Sequence, residues 1–326
     1  MLTPTIDDIH AAAERLKGRA VRTPLLESPA LNERLGGRVF LKAETLQRTG
    51  SFKFRGAYNR ISLLAGGEHP GGIVACSSGN HAQGVGEAAR LYGMRAVIVM
   101  PSDAPKVKIE GTRRSGADIV FYDRQTEDRN AIAENLCDKL NAAFVPPFND
   151  RQVMAGQGTS GLEIAEQVRA LGVELDAVLV PTSGGGLVAG VALAVHSVFP
   201  QAAVYCVEPA DFNDYQRSLE AGERQRNTAN GGSICDALLV SEPGKLTFAV
   251  NRHQLAGGLA ASDAEVRAAM AFAYRELKLV VEPGGAVALA AMLAGRFPAK
   301  SRNVAVVLSG GNVDPHLFTE IIAREH

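Results

Sequence analysis

One lysine stands between two phenylalanines in the segment Ser51-Phe-Lys-Phe-Arg-Gly56. A serine followed by apolar residues at helical spacing predicts a helix that begins here, with Ser51 as its N-cap. An amine held between aromatic rings loses solvation, which lowers its pKa and makes it a nucleophile toward carbonyl groups. Lys53 is therefore a candidate Schiff-base residue. A lysine that buries only its stem and leaves its ammonium in water fits the same pattern.

A first glycine-bearing turn, Ser77-Ser-Gly-Asn-His81, follows a predicted strand. Its hydroxyls, its amide and its backbone N–H groups lie at the N-terminus of a predicted helix, where the helix dipole favours an anion. Either Ser77 or Ser78 could simply cap that helix, but capping leaves Asn80 and His81 without a role. We expect the turn to bind an anionic group.

A second turn, Ser183-Gly-Gly-Gly-Leu187, leaves consecutive backbone N–H groups free to point at one cluster of anionic oxygens. The candidate phosphate-binding residues are Ser183, Gly184, Gly185, Gly186 and Leu187, since glycine has no Cβ to block a phosphate.

The same turn also fits another pattern. Gly184, Gly186 and Ala189 have the spacing of a dinucleotide fingerprint, and Glu208 ends the next predicted strand, where a ribose-binding acid belongs. An NAD-dependent oxidoreductase is therefore the alternative from a different class. This fingerprint is a weak signal by itself, and it gives Lys53 no role.

A third turn, Leu308-Ser-Gly-Gly-Asn312, follows the last predicted strand. The Ser309 hydroxyl could face a ligand at the C-terminal edge of a parallel sheet, where open α/β folds bind their ligands. An ordinary connection between a strand and a helix would have the same composition.

The elements that position these turns alternate along the chain, which predicts parallel, doubly wound sheets in two α/β units with a boundary near Asp150. Strands are predicted at 39–42, 73–76, 96–100, 118–122, 143–146, 177–181, 204–207, 279–281 and 303–308. Helices are predicted at 6–16, 81–91, 106–114, 129–140, 156–171, 187–196, 262–277 and 285–293, and residues 211–230 are expected to form a loop.

Composition narrows the class of protein. The chain has 326 residues and a formal net charge of -1, with no long basic run, so nucleic acid and anionic membranes are not expected as partners. We expect no signal peptide and no transmembrane helix. The four cysteines lie far apart without a C-x-x-C pair, which favours a reducing cytoplasm.

Taken together, the lysine segment and the three glycine turns, in this order and spacing, resemble fold-type II pyridoxal phosphate (PLP) enzymes. The similarity is to the group of threonine/serine dehydratases and serine racemases, and it covers nearly the whole chain. It implies a homodimer of α/β subunits with two doubly wound open-sheet domains, as in tryptophan synthase β. The large domain would comprise residues 1–68 and 151–326, and the small domain residues 69–150.

The resemblance also implies roles for individual residues. Lys53 would hold PLP as a Schiff base, and the loop at 183–187 would bind its phosphate. Around the ring, the implied contacts are Phe52 beside it, Asn80 on its hydroxyl, Ser309 on its nitrogen, and Glu282 from the turn Glu282-Pro-Gly-Gly. The substrate carboxylate would be held by Ser77, Ser78, Gly79, Asn80 and His81.

The implied reaction is a β-elimination, in which L-threonine or L-serine loses water to give an enamine, and water then hydrolyses the enamine to a 2-oxo acid and ammonia. Lys53, once displaced by the substrate, would remove the Cα proton. Ser309 offers a neutral hydroxyl, so the ring nitrogen need not be protonated, and a weaker electron sink favours elimination. The alternatives within the family are a serine or aspartate racemase and a hydroxyaspartate dehydratase.

Three positions refine this expectation. Ser78 occupies the place of the racemase serine that serves the second face of the carbanion, so we expect slow racemisation or tolerance of D-substrates. Glu208, the Phe212 carbonyl and Asp214 have the spacing of a metal site, which implies Mg²⁺ or Ca²⁺. The segment Cys235-Asp236-Ala237 departs from the family's Ala-Asp-Gly.

Overall fold

The computed structural model describes residues 2–77, 79–104, 106–123, 125–228 and 231–324, so Ser78 lies outside the described residues. The helices are α1 Ile6–Leu16, α2 Pro29–Leu35, α3 Lys53–Ser62, α4 Asn80–Leu91, α5 Lys106–Arg114, α6 Arg129–Leu140, α7 Arg151–Ala170, α8 Gly186–His196, α9 Asp214–Ala221, α10 Lys245–Gln254, α11 Asp263–Leu277, α12 Pro283–Leu293 and α13 Pro315–Arg324. The strands are β1 Leu25–Glu27, β2 Arg38–Ala43, β3 Ile73–Cys76, β4 Ala96–Pro101, β5 Asp118–Tyr122, β6 Ala143–Phe144, β7 Ala177–Pro181, β8 Ala203–Pro209, β9 Gly257–Ala261 and β10 Asn303–Leu308.

The larger sheet has the strand order β1-β2-β10-β7-β8-β9. All neighbours are parallel except β1, which runs antiparallel to β2 at the edge. The central strands β7 and β10 are apolar along nearly their whole length and buried, as expected where helices cover both faces of a parallel sheet.

The smaller sheet has the order β5-β4-β3-β6, and its neighbours are all parallel. Its strands lie between residues 73 and 144, inside the span predicted for a small domain. The two open α/β sheets confirm the predicted fold class. The division of the chain into domains at residues 69 and 150 stays a prediction.

Helix α3, which begins at Lys53, is held tightly by its neighbours α4 and α7. A Cβ at Gly56 would lie 2.8 Å from the carbonyl oxygen of Val153 on α7, so the two helices approach almost backbone to backbone. Arg55 is only 1% exposed, and its guanidinium pairs with Glu44 at 2.8 Å and with Glu163 at 2.7 Å. The position of the lysine backbone is therefore fixed by packing and by buried ion pairs.

Several predicted elements differ from the structure. Residues 279–281 form no strand, and residues 211–230 contain helix α9. The elements that were not predicted are β1, β9, α2, α10 and α13. The predicted N-cap at Ser51 is wrong, because Ser51 is extended and bridges to Gly310, and α3 begins after Phe52 without a side-chain cap. Within the described ranges, every helix is too short or too polar to cross a lipid bilayer.

Candidate active site

A cavity of about 400 Å³ opens at the C-terminal ends of strands from both sheets. It is lined by residues of all three glycine turns together with the lysine segment, so motifs that are far apart in sequence meet at one place. The predicted site residues on its wall are Phe52, Lys53, Ser77, Gly79, Asn80, His81, Ser183, Gly184, Gly185, Gly186, Leu187, Glu282 and Ser309. Open α/β folds place ligands at this edge of their sheets.

The amine of Lys53 lies inside the cavity. Its Nζ donates a hydrogen bond to the carbonyl oxygen of Pro147 at 2.8 Å and lies 5.1 Å from the centroid of the Phe52 ring. Burial lowers the pKa of Lys53 to about 8, although the nearby Glu282 carboxyl acts in the opposite direction. The ammonium does not extend into bulk water, so the stem-only burial considered for this lysine is not what the structure shows.

Only one of the two flanking phenylalanines accompanies the amine. Phe54 is fully buried in the core and packs against Tyr58, with 5.5 Å between the ring centroids. The expected position of Lys53 between two rings is wrong. Successive side chains on a helix point about 100° apart, so the Phe54 ring points away from the Lys53 amine.

The triple-glycine loop joins β7 to the N-terminus of α8. Gly185 adopts φ 88°, a conformation that favours glycine, and a Cβ there would lie 2.3 Å from the Tyr215 hydroxyl. A Cβ at Gly184 would lie 2.4 Å from the Phe148 ring. The backbone N–H groups of residues 183–187 donate to no described acceptor. Free N–H groups at a helix N-terminus form a site for an anion.

The turn after β3 carries the next set of polar groups. The Ser77 hydroxyl accepts a hydrogen bond from the Gly79 N–H at 3.1 Å, and Asn80 begins helix α4. His81 donates from Nε2 to the carbonyl oxygen of Val145 at 3.0 Å, which leaves its buried Nδ1 without a described partner. Burial, together with the nearby Lys53, lowers the pKa of His81 to about 3, so the imidazole is neutral at physiological pH.

The turn after β10 connects these two segments. The carbonyl oxygen of Ser309 accepts the Phe52 N–H at 3.1 Å, and the Ser309 side chain lines the cavity. Asn312 donates to Thr49 and to the side-chain oxygen of Asn80, both at 2.8 Å. This turn therefore fixes the start of the lysine helix relative to the turn after β3.

A buried charge cluster in the cavity was not predicted from the sequence. Lys108 of α5 lies with its Nζ 2.5 Å from an oxygen of Asp236 and 3.9 Å from Oε2 of Glu282. The other oxygen of Glu282 accepts a short hydrogen bond from the Asn80 amide. Burial raises the pKa of Glu282 to about 7, with Lys108 acting against it. Burial disfavours the charge on Lys108, but Glu282 and Asp236 outweigh it and raise the pKa of this lysine.

Sequence reasoning missed Lys108 because no pattern marks it. Lys106 and Lys108 stand two residues apart on a polar helix, where both are expected to be solvated. Lys106 is exposed and Lys108 buried, and only the docking of α5 against residues far along the chain makes this difference. Gln157 and Arg129 also line the cavity without a sequence signal.

The predicted metal residues lie away from the cavity. Glu208 is fully buried and accepts the backbone N–H groups of Tyr215 at 2.9 Å and Gln216 at 2.8 Å. One oxygen of Asp214 accepts from Asn227 at 2.7 Å, whereas the other is buried without a described partner. No cluster of three His, Cys, Asp or Glu side chains occurs in the part of the chain that the structure describes. Since Glu208 does not reach the cavity, the dinucleotide interpretation lacks its ribose-binding acid.

Comparison with known proteins agrees with this geometry. The family model "Pyridoxal-phosphate dependent enzyme" matches residues 17–310. The L-threo-3-hydroxyaspartate ammonia-lyase of Pseudomonas sp is 42% identical over 315 residues, covering 97% of each chain. The L-threonine ammonia-lyase of Thermotoga maritima is 40% identical over 320 residues, or 98% of this chain and 78% of the relative.

Solved structures show the same relationship. Maize serine racemase superposes with a TM-score of 0.92 at 34% identity, covering 99% of this chain and 98% of that chain. The chain belongs to the family of pyridoxal-phosphate dependent enzymes, within the fold-type II group that contains threonine dehydratases and serine racemases.

Proposed function

We propose that this protein is a PLP-dependent ammonia-lyase that dehydrates a small β-hydroxy amino acid to a 2-oxo acid and ammonia. The observation that carries the proposal is the meeting of Lys53, the free N–H groups of residues 183–187 and the turn at Ser77 in one cavity. Relatives of this chain are named for their action on 3-hydroxyaspartate, threonine or serine.

The cavity has groups that suit the cofactor. The loop at 183–187 would bind the phosphate with its unpaired N–H groups, and its glycines leave no Cβ in the way. Phe52 would pack beside the ring, and Asn80, Glu282 and Ser309 would contact its polar edge. When bound, PLP supplies the electron sink that stabilises negative charge at Cα.

The chain's own residues would supply binding and proton transfer. With a pKa of about 8, the Lys53 amine is partly neutral near pH 7, so its Nζ can accept the Cα proton. The Ser77 hydroxyl and the backbone N–H of Asn80 would hold the α-carboxylate at the start of α4, since the Gly79 N–H donates to Ser77 and the side-chain amide of Asn80 to Glu282. His81 stays neutral beside them and keeps its Nε2 proton on Val145, so it is not the acid that protonates the leaving group.

Among the substrates, L-serine and L-threonine are the ones expected from the sequence, and L-threo-3-hydroxyaspartate is the other candidate in the class. A slow racemase activity through Ser78 belongs to the same proposal and rests on the sequence alone. The test is Ser78→Ala assayed with L-serine, with pyruvate and D-serine measured separately. If the wild type makes no D-serine and the variant handles D-substrates equally well, Ser78 has no catalytic role.

Two further features complete the proposal. Glu208, the Phe212 carbonyl and Asp214 would bind Mg²⁺ or Ca²⁺. The buried oxygen of Asp214 that has no described partner supports this, because a cation would satisfy it.

The protein would act as a cytoplasmic homodimer. The free cysteines Cys76, Cys137, Cys206 and Cys235 agree with a reducing compartment.

The decisive assay measures ammonia and 2-oxo acid release from L-serine, L-threonine, L-threo-3-hydroxyaspartate and phenylserine by the PLP-loaded protein. We expect a violet absorption band from the lysine-bound cofactor and stoichiometric ammonia and 2-oxo acid from at least one of the first three. A protein without the violet band, or one that has the band but releases ammonia from none of them, would contradict the proposal.

A further inference from the structure

Lys108 has no part in the reaction proposed above, yet its ammonium lies in the same cavity as Lys53. Its side chain is only 5% exposed. The stem lies directly on Gly79, where a Cβ would come within 2.6 Å of the Lys108 Cδ. The ammonium is thereby held next to the turn that would bind the substrate α-carboxylate, on the side from which α5 approaches.

The counter-ion of Lys108 is placed so that another carboxylate could replace it. Asp236 pairs with Lys108 at 2.5 Å, but its side chain is 41% exposed. A carboxylate at the surface can turn into water at little cost, whereas a buried ammonium needs a partner at all times. Glu282, at 3.9 Å from the lysine, has an Oε2 without a described donor and remains beside the lysine throughout.

We propose that Lys108 binds a second carboxylate of the substrate in place of Asp236, so that the enzyme prefers β-hydroxy dicarboxylic amino acids of the 3-hydroxyaspartate type. This inference rests on the proposed function and decides between its candidate substrates. With serine or threonine, Lys108 stays paired with Asp236. With a dicarboxylate, one ion pair replaces another and Asp236 regains water, which favours the anionic substrate.

The other charged groups on the wall are arranged differently. Arg129 is exposed and lies at the N-terminus of α6, so an anion bound there would remain in water, where ion pairs contribute little. Asp103 is an exposed carboxylate, and Lys53 is committed to the cofactor. Among the described residues of this wall, Lys108 is therefore the cation that combines burial with an exchangeable partner.

The experiment compares Lys108→Met with the matched control Lys106→Met, an exposed lysine on the same helix. We expect Lys108→Met to lower the ratio of kcat/KM for L-threo-3-hydroxyaspartate over that for L-serine by about ten- to a hundredfold, mainly through KM. Lys106→Met should leave this ratio unchanged. Circular dichroism and the violet absorption band check that each variant folds and binds PLP.

Binding without turnover is measured by calorimetry on the PLP-loaded protein, with succinate and butyrate as diacid and monoacid of equal length. Succinate should bind about ten- to a hundredfold more tightly in the wild type, and Lys108→Met should remove the difference. Asp236→Asn, which removes the competing carboxylate, should tighten succinate binding.

Three results would overturn the role of Lys108: equal binding of succinate and butyrate by the wild type, an unchanged ratio in Lys108→Met, or a loss of preference in Arg129→Met instead. If the wild type dehydrates serine but shows no preference for the diacid, this inference fails while the proposed function stands. If L-serine, L-threonine and L-threo-3-hydroxyaspartate all fail to release ammonia, the proposed function fails, and the comparison of succinate with butyrate still decides the role of Lys108.

Discussion

Replacing Glu282 by glutamine should make the protein more stable at high pH and change little at low pH. Glu282 is 2% exposed, and burial raises its pKa from 4.5 to about 7. Because the folded-state pKa lies above the unfolded one, the folded state binds more protons between these values, and stability is lost as pH rises through this window. Glutamine keeps an oxygen that can accept the hydrogen bond from Asn80 but has no charge to bury.

The size of the effect follows from the shift. At 1.36 kcal/mol for each pKa unit, the wild type should lose about 1 kcal/mol relative to the variant by pH 5 and about 3 kcal/mol by pH 8. The assay is urea unfolding of the cofactor-free proteins between pH 5 and 8, with the difference in unfolding free energy plotted against pH. Subtracting the two curves removes the contributions of titrating groups that do not interact with Glu282. A difference that is constant over this range, or that shrinks as pH rises, would refute the argument that burial disfavours the charged form of Glu282.

Further outcomes follow from other parts of the structure. Gly185→Ala should raise the Kd for PLP about tenfold or more, since alanine disfavours φ 88° and its Cβ would clash with Tyr215. The control Gly172→Ala, at φ 68° with open space around it, should leave the Kd unchanged, and equal effects of the two variants would contradict the clash. In the wild type and in the control Asp211→Asn, EDTA should lower the melting temperature and Mg²⁺ or Ca²⁺ should restore it. Asp214→Asn should not respond to either treatment, and a wild type whose melting temperature does not change with EDTA would exclude the metal. Arg55→Met should cost about 3–5 kcal/mol of unfolding free energy because it removes the ion-pair partner of the fully buried Glu44, while Glu163 keeps Lys42, and a loss below about 1 kcal/mol would contradict this.

The meeting of two of the three glycine turns follows from local patterns. Each turn comes directly after a short apolar strand, and the turns after β7 and β10 share the C-terminal edge of the larger sheet. The turn after β3 belongs to the smaller sheet and meets them through tertiary contacts such as the hydrogen bond between Asn312 and Asn80. The lysine segment joins them through hydrogen bonds from its backbone to the turn at Ser309. These bonds are long-range, so the sequence suggested the neighbours of Lys53 but not how they are connected.

What the sequence did not reveal depends on tertiary contacts. Strand β9 contains Gly257, Gly258 and small residues, a composition poor in β-formers, and only its pairing with β8 makes it a strand. Residues 279–281 carry β-branched valines, yet they form no strand. The N–H of the following Glu282 donates a hydrogen bond to the carbonyl oxygen of Gly310. Lys108 and Asp236 are separated by 128 positions, and no local pattern pairs them.

The central claim is that Lys53, and no other lysine, carries the cofactor. The most direct measurement is borohydride reduction of the PLP-loaded protein, followed by proteolysis and mass spectrometry of the peptides. We predict the reduced phosphopyridoxyl group on the peptide that contains Lys53, and no label together with no violet band in Lys53→Ala. Label on Lys108 or another lysine in the wild type, or a violet band that persists in Lys53→Ala, would contradict the account.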